Sequence, residues 1–169
     1  MTSMYGQGVG RTDEWYTPPH VFEALDCEFD VDAASPGAAI TPWIPARRFI
    51  TQNSLTSDWG TGLVWLNPPF GKRGSLVPWL NKFFRHANGV MLVPDRTSAP
   101  WWQEYVPYAD LVLFVAPKLK FIGADGKPGT IPADGTCLLA CGTVASIALV
   151  KAQRAGLGVL MSPRRDLLP

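Results

Sequence analysis

Four consecutive residues, Asn67, Pro68, Pro69 and Phe70, combine groups that can hold a planar amino group. The Asn67 side chain has an amide oxygen, a neighbouring proline has a backbone carbonyl, and both accept hydrogen bonds. Two adjacent acceptors match the two hydrogens of such an amine and free its lone pair to attack an electrophilic methyl group. Phe70 can stack on the heterocycle that carries the amine. A simple β-turn with tandem proline is the alternative interpretation.

The residues before this loop predict how it is positioned. Residues 62–66 (GLVWL) are apolar, β-branched or aromatic between glycines, which is typical of a buried strand. Proline cannot donate a hydrogen bond to a sheet, so Pro68 and Pro69 end the strand. The loop should therefore lie beyond the carboxyl end of a strand, where ligands bind in open α/β sheets.

The remaining pattern alternates between strands and helices. Amphipathic or proline-started segments predict helices at 18–25, 76–86 and 100–106. Further strands are predicted at 29–32, 89–94, 110–115, 136–141 and 144–150, with a possible antiparallel hairpin around Gly142 and Thr143. Residues 36–49 contain three prolines and predict a loop with at most a helical turn. Short links between these elements favour an α/β fold with a mostly parallel sheet and helices on both faces.

Two polar positions outside the loop are candidates for binding a small molecule. Thr17 is a natural helix N-cap with Pro18 at the first helical position, and a capped helix start also suits a carboxylate. Asp32 ends a short strand and is followed by Ala33 and Ala34, which are small enough for a ligand to approach the backbone. The Asp32 carboxylate can then meet an ammonium group, although it can equally cap its own turn.

Polar and basic residues on either side of the central strand are further candidates. Asn53 and Asp58 precede that strand and either face a ligand or cap the turns around them. Lys72 and Arg73 follow the Asn-Pro-Pro-Phe loop in a flexible, glycine-flanked stretch that suits a phosphate contact.

Composition limits the class of protein. With 169 residues, 47% hydrophobic and 17% charged, the chain predicts one compact globular domain. No apolar stretch reaches membrane-spanning length and the N-terminus lacks a signal-peptide core, so we expect a soluble cytoplasmic protein. Cys27, Cys137 and Cys141 lack metal-site spacing, which predicts buried free thiols and no metal.

The net charge of +1 is weak evidence against tight binding of duplex DNA. Basic residues are nevertheless clustered locally, and a cluster can bind phosphate where the whole chain is nearly neutral. The clustered positions are Arg47 and Arg48, Lys72 and Arg73, Lys82 and Arg85, Lys118 and Lys120, and Arg164 and Arg165.

Taken in order, the short motifs resemble the small phage-type (Dam-like) DNA N6-adenine methyltransferases. The resemblance extends from about Asp13 to about Gly142. Its pieces are Asp13-Glu14-Trp15 with Thr17-Pro18, Asp32-Ala33-Ala34-Ser35, Leu55 with Asp58-Trp59, residues 64–70, residues 91–94 with Arg96-Thr97 and Trp101, and residues 118–121. Several motifs in one order are far more specific than the Asn-Pro-Pro-Phe loop alone.

The resemblance implies a Rossmann-like methyltransferase fold that uses S-adenosyl-L-methionine and acts on DNA in a site-specific or weakly specific manner. The glycine-rich stretch at 1–12 is expected to be flexible, and residues 13–169 are expected to form a single methyltransferase domain without a separate target-recognition domain. A homodimer and a phage or prophage origin in a bacterial host are also expected. The implied roles are catalysis for Asn67, Pro68, Pro69 and Phe70, cofactor binding for Thr17, Pro18, Asp32, Ala33, Ala34, Asn53 and Asp58, and substrate binding for Phe121, Lys118, Lys120, Arg96, Lys72 and Arg73.

The chain also departs from that pattern. Asp32-Ala33-Ala34-Ser35 replaces the glycine-rich fingerprint of larger methyltransferases, and no clear acidic residue is available for the ribose hydroxyls. Three alternatives therefore stay open. They are methylation of another planar amine (cytosine N4 or glutamine N5), a nucleic-acid-binding module that stacks single strands on its tryptophans, and a decayed methyltransferase fold that no longer binds cofactor.

Overall fold

A computed structural model describes residues 15–71 and 74–163. Lys72 and Arg73 therefore lie outside the described residues, as do Asp13, Glu14, Arg164 and Arg165. Strands and helices alternate through the described chain. Their bounds are β1 Trp15–Tyr16, α1 Pro19–Leu25, β2 Phe29–Asp32, β3 Ala46–Phe49, β4 Val64–Leu66, α2 Val77–His86, β5 Gly89–Pro94, α3 Pro100–Tyr105 with a 3-10 turn at Val106–Tyr108, β6 Leu111–Val115, β7 Ile122–Gly123, β8 Thr136–Cys141, α4 Thr143–Arg154 and β9 Gly158–Met161.

The main sheet of the described chain has seven strands in the order β3-β2-β4-β5-β8-β6-β9. Strands β3, β2, β4 and β5 are parallel, whereas β8 is antiparallel to both of its neighbours and β9 is antiparallel to β6. The prediction of a mostly parallel sheet is therefore confirmed only for the half formed by β3, β2, β4 and β5. Parallel neighbours need a crossover connection, usually a helix, but residues 116–135 between β6 and β8 contain none.

The predicted strands at 29–32, 89–94, 110–115 and 136–141 are confirmed, and that at 62–66 is confirmed over Val64–Leu66. The predicted strand at 144–150 is wrong, because these residues lie in α4. Ala145, Ala148, Leu149 and Ala152 form its buried face, while Val144 and Ile147 are exposed. Six of the seven residues at 144–150 are apolar, so the helical spacing of the buried positions could not be recognised in the sequence. Residues 46–49, predicted as loop, form β3 at the edge of the sheet.

Helices cover both faces of the sheet, as predicted. On one face, α1 and α4 pack against each other and over the side chains of Trp65 and Leu113. On the other face, α2 and α3 pack over Met91 and Leu139. Trp65 is 1% exposed and meets Phe22 edge-on at a ring-centroid distance of 4.8 Å. Burial of such large aromatic groups fixes β4 and therefore the start of the loop that follows it.

A second, two-stranded sheet lies outside the main one. In this ribbon, β1 pairs with β7 so that Trp15 is opposite Gly123 and Tyr16 is opposite Ile122. The Trp15 ring packs closely on Gly129, in the segment that follows β7. A β-carbon added to Gly129 would lie only 2.5 Å from Cζ3 of the Trp15 ring. The ribbon joins the segment before α1 to the long connection between β6 and β8.

Cys137 and Cys141 are buried free thiols as predicted, whereas Cys27 is only half-buried. Burial raises the pKa of Cys27 to about 11 and that of Cys141 to about 12, so both stay protonated at neutral pH. No helix in the described ranges is long and apolar enough to cross a membrane. Within the same ranges, no cluster of three or more His, Cys, Asp or Glu side chains is arranged to hold a metal ion.

Candidate active site

A cavity of about 1110 Å³ opens where β2, β4 and β5 end and β8 begins. Typical ligand pockets measure roughly 300–1,000 Å³, so this one has room for more than a single small molecule. Many of the residues singled out in the sequence line it. They are Thr17, Asp32, Ala34, Asn53, Asn67, Pro68, Pro69, Phe70, Arg96 and Phe121. The lining does not include Pro18, Ala33, Asp58, Lys118 or Lys120.

The half-buried Asn67 amide directly follows the central strand and is held by the backbone of the ribbon. Its Nδ2 donates to the carbonyl oxygen of Trp15 at 3.1 Å. This bond is made by the NH₂ group of the amide, so the amide oxygen Oδ1 is left available as an acceptor. Pro68 is buried and Phe70 is half-buried, packing against the hydrophobic clusters on both faces of the sheet. Contacts of Asn67 and Phe70 thus anchor the two ends of the loop.

Asp32 lies at the next strand end and is 1% exposed. Burial raises the pKa of its carboxyl group to about 6, and hydrogen bonds from Ser35 and the Ala34 backbone oppose this rise only in part. Its Oδ2 atom has no hydrogen-bond partner within the described chain. Asp32 therefore contacts its own turn, as one alternative predicted, and still keeps an oxygen for another group.

The predicted N-cap role of Thr17 is wrong. Helix α1 begins at Pro19, Pro18 is its N-cap, and no side chain caps it. The tandem proline shifts the helix start by one residue, because the second proline takes the favoured first helical position. The Thr17 hydroxyl is 1% exposed and lacks a partner in the described part of the chain, while the Thr17 carbonyl accepts a 2.9 Å bond from Trp43 Nε1.

Asn53 begins the loop that lines the cavity beside Asp32. It adopts a positive φ of 53°, and its carbonyl accepts the backbone N–H groups of Thr56 and Ser57 at 3.0 and 2.9 Å. Asp58 is separated from the cavity, since it is exposed and its Oδ1 accepts the Gly60 N–H at 2.7 Å. Its carboxylate therefore caps a turn, the alternative that the sequence left open.

A lysine from α2 holds this loop, a role that the sequence analysis did not assign to it. Lys82 Nζ donates to the carbonyl oxygens of Ser54 at 2.6 Å, Leu55 at 3.1 Å and Ser57. The same ammonium lies 4.7 Å from the centroid of the Trp59 ring. Ser54 in turn donates to the carbonyl of Ala33, so the loop is tied to the turn after Asp32. These contacts span more than twenty positions, and no local spacing signals them.

Two of the basic residues predicted to contact substrate, Arg96 and Lys118, form hydrogen bonds within the chain. Arg96 Nε and Nη2 donate to Asp134 Oδ2 at 3.0 and 2.5 Å, and Lys118 Nζ donates to the Ala133 carbonyl at 2.5 Å. These three bonds fasten the connection before β8 against the cavity. Lys120 is exposed, and Phe121, which is 7% exposed, contributes its ring to the cavity wall.

Three buried side-chain atoms of the described chain have no hydrogen-bond partner, namely Thr17 Oγ1, Asp32 Oδ2 and Thr136 Oγ1. All three residues line this cavity. Buried polar groups are nearly always paired, and each exception needs an explanation. Because all three residues line the cavity, a bound ligand or water there would supply the missing partners. Thr136 has no distinguishing motif in the sequence.

The fold and cavity define an α/β protein with a ligand site at the carboxyl edge of its sheet. The family model described as DNA N-6-adenine-methyltransferase (Dam) matches residues 8–142, which confirms the resemblance. The chain belongs to this family.

A curated relative, the DNA N-6-adenine-methyltransferase of Haemophilus phage HP1 (strain HP1c1), is 26% identical over 110 residues. That alignment covers 61% of this chain and 62% of the relative, so the chain spans less than two thirds of the relative's length. No solved structure matches the chain significantly.

Proposed function

We propose that this protein transfers a methyl group from S-adenosyl-L-methionine to the exocyclic N6 of adenine in DNA. The observation that carries the proposal is the Asn67 amide, whose NH₂ donates to the Trp15 carbonyl and whose oxygen is left to accept an amino group. Membership of the family and the name of the phage HP1 relative support it. The antiparallel β8 between β5 and β6 supports a Rossmann-like methyltransferase sheet.

The cofactor half of the cavity is the side that Thr17 and Asp32 line. The methionine end of the cofactor carries an ammonium and a carboxylate, and the two unpartnered atoms complement them, Asp32 Oδ2 as an acceptor and the Thr17 hydroxyl as a donor. The loop that begins at Asn53 offers the wall for the adenine end. When bound, the cofactor supplies an electrophilic sulfonium methyl, and the N6–carbon bond forms as the carbon–sulfur bond breaks and N6 releases a proton to water.

The chain's own groups hold and orient the amine. Asn67 Oδ1 and the Pro68 carbonyl accept the two N6 hydrogens, which aims the nitrogen lone pair away from them. Phe70 and Phe121 hold the base by stacking, which contributes about 1–3 kcal/mol per base. That contribution offsets the few kcal/mol needed to take the base out of a duplex stack. A neutral amine reacts with a cation, so no net charge is created and positioning supplies much of the acceleration.

Substitution of Asn67 tests the proposal. The protein would be incubated with tritiated S-adenosyl-L-methionine and DNA that lacks adenine methylation, and the DNA digested to nucleosides. We expect N6-methyladenine with the native protein and at least a hundredfold less with Asn67→Ala, because one of the two N6 acceptors is lost (about 2.8 kcal/mol or more at 1.4 kcal/mol per tenfold). Calorimetry with S-adenosylhomocysteine should give affinity within a few-fold of native.

Asn88→Ala is a matched control. Asn88 is also half-buried and also donates its amide to a backbone carbonyl, that of Thr61 at 3.1 Å, but it lies at the opposite edge of the sheet, just before β5. We expect this variant to keep its activity. Undiminished methylation by Asn67→Ala would contradict the proposed role.

The same digestion separates the alternatives. N4-methylcytosine in place of N6-methyladenine would change the assigned substrate, and label recovered in protein would indicate glutamine. No affinity for S-adenosylhomocysteine would indicate a relative that has lost catalysis.

A further inference from the structure

We propose that the Thr136 hydroxyl recognises the target base by donating a hydrogen bond to one of its ring nitrogens. The inference rests on the proposed function and adds a specificity-determining residue to the same cavity.

The order of strands places Thr136 on the substrate side of Asn67. Thr136 is the first residue of β8 and pairs with Pro94, the last residue of β5. Along the cavity edge the sequence of groups is therefore Asp32 on β2, Asn67 after β4, Pro94 on β5 and Thr136 on β8. Neighbouring strands are about 4.8 Å apart, so Thr136 lies two strands, or about 10 Å, beyond the strand that carries Asn67. That separation between strands is of the same order as the length of a single heterocycle with a hydrogen bond at either end.

The Thr136 hydroxyl is the unpartnered atom that the cofactor does not explain. The residue is 3% exposed, its neighbours along β8 are all buried, and its hydroxyl has no hydrogen-bond partner within the described chain. Asp32, on β2, lies on the other side of Asn67 from Thr136. Asp32 suits the ammonium of the cofactor and the Thr17 hydroxyl suits its carboxylate. A buried hydroxyl without a partner destabilises the free protein. Such a cost is expected where a polar group is kept for a ligand.

The chemistry of the base matches a lone donor at this position. Asn67 and the Pro68 carbonyl accept both hydrogens of the amino group, and the remaining polar atoms of an adenine ring are nitrogen acceptors. Arg96 is a donor at the same end of the cavity, but its guanidinium is already bound to Asp134 by two hydrogen bonds. The hydroxyl of Thr136 is free to act as that donor within the described chain.

Two substitutions separate recognition from packing. Thr136→Val keeps the shape and removes the hydroxyl, whereas Thr136→Ser keeps the hydroxyl and removes a methyl group. We expect Thr136→Val to lower kcat/KM on adenine-containing DNA by about 10- to 100-fold while its Tm stays the same or rises by about 2–4 °C. Thr136→Ser should melt at a lower temperature yet keep kcat/KM within about threefold of native. A purely structural threonine would not lose activity while it gains stability.

DNA analogues identify the bond itself. Long fragments would be synthesised with 1-deaza-, 3-deaza- or 7-deaza-deoxyadenosine in place of every adenine, so that the target sequence need not be known. One of these analogues lacks the acceptor, and on that DNA we expect Thr136→Val and native protein to have equal kcat/KM. An equal effect of Thr136→Val on every fragment, or no effect on ordinary DNA, would overturn the inference while native methylation still stands. Failure of the native protein to methylate any DNA would overturn the proposed function, and the inference with it.

Discussion

Asp32→Asn should make the free protein more stable at neutral pH. The carboxyl pKa is about 6 in the folded chain against 3.8 for an ordinary aspartate, because burial disfavours the charged form. That difference corresponds to about 3 kcal/mol at 1.36 kcal/mol per pH unit. Asp32 is 1% exposed, so solvent screening does not reduce this value much. Because folding raises the pKa of this carboxyl group, its contribution to the stability of the folded protein is fully present below pH 3.8. That contribution is lost as the pH rises through 6 and the buried group ionises.

The neutral amide avoids that loss. At pH 8, Asp32→Asn should therefore gain up to about 3 kcal/mol over the native chain, a rise of up to about 6–12 °C in Tm for a domain of this size. The gain should shrink as the pH falls from 6 towards 4, where both side chains are neutral. Thermal unfolding followed by circular dichroism between pH 5 and pH 8.5 measures it, with pH values chosen to bracket the carboxyl pKa.

Asp30→Asn is the matched control. Asp30 is on the same strand, but its carboxylate accepts the Leu63 N–H at 2.7 Å and lies 3.7 Å from the Arg47 guanidinium. We expect this substitution to lower Tm, because it weakens a paired charge. The reasoning would be refuted if the Tm of Asp32→Asn were below the native Tm by the same amount at every pH. Such a result would show that ionised Asp32 does not destabilise the free protein.

Two further predictions concern ligand binding. The affinity for S-adenosylhomocysteine should fall about tenfold per pH unit below pH 6, because its ammonium binds the ionised form of Asp32, and calorimetry on Asp32→Asn should show weak binding without this dependence. Lys82→Met should weaken S-adenosylhomocysteine binding about tenfold (about 1.4 kcal/mol), because the loop at 53–59 loses the ammonium group that its carbonyl oxygens share. Arg85→Met, on the same helix, should bind S-adenosylhomocysteine as the native protein does. Equal affinities for the two variants would contradict the role of Lys82.

Much of the site could be predicted because several of its residues lie at or directly after the carboxyl ends of strands. A run such as residues 62–66 identifies a buried strand by composition alone, and tandem proline marks where it stops. The rule that ligands bind at carboxyl ends then places Asn67 and Asp32 at one edge without knowledge of the pairing. The structure brings both to one cavity.

Features that depend on contacts distant in sequence could not be predicted. Arg96 and Asp134 are 38 positions apart, so their ion pair was invisible and Arg96 was interpreted only as a substrate contact. The insertion of β8 between β5 and β6 depends on where a long connection returns, which no local pattern encodes. Thr136 was missed for a related reason, because burial and lack of a partner are properties of the folded chain.

The ribbon of β1 and β7 has a consequence for how this protein can vary. The acceptor that orients Asn67 is a main-chain oxygen, so the amino acid at position 15 can be exchanged without losing that bond. An insertion or deletion in the ribbon, in contrast, would move the oxygen away from Asn67 and displace Phe121, which directly precedes β7, in the same event. The positions of Asn67 and Phe121, the residues proposed to bind the amine and to stack on the base, therefore depend together on strand register and not on the identity of the side chain at position 15.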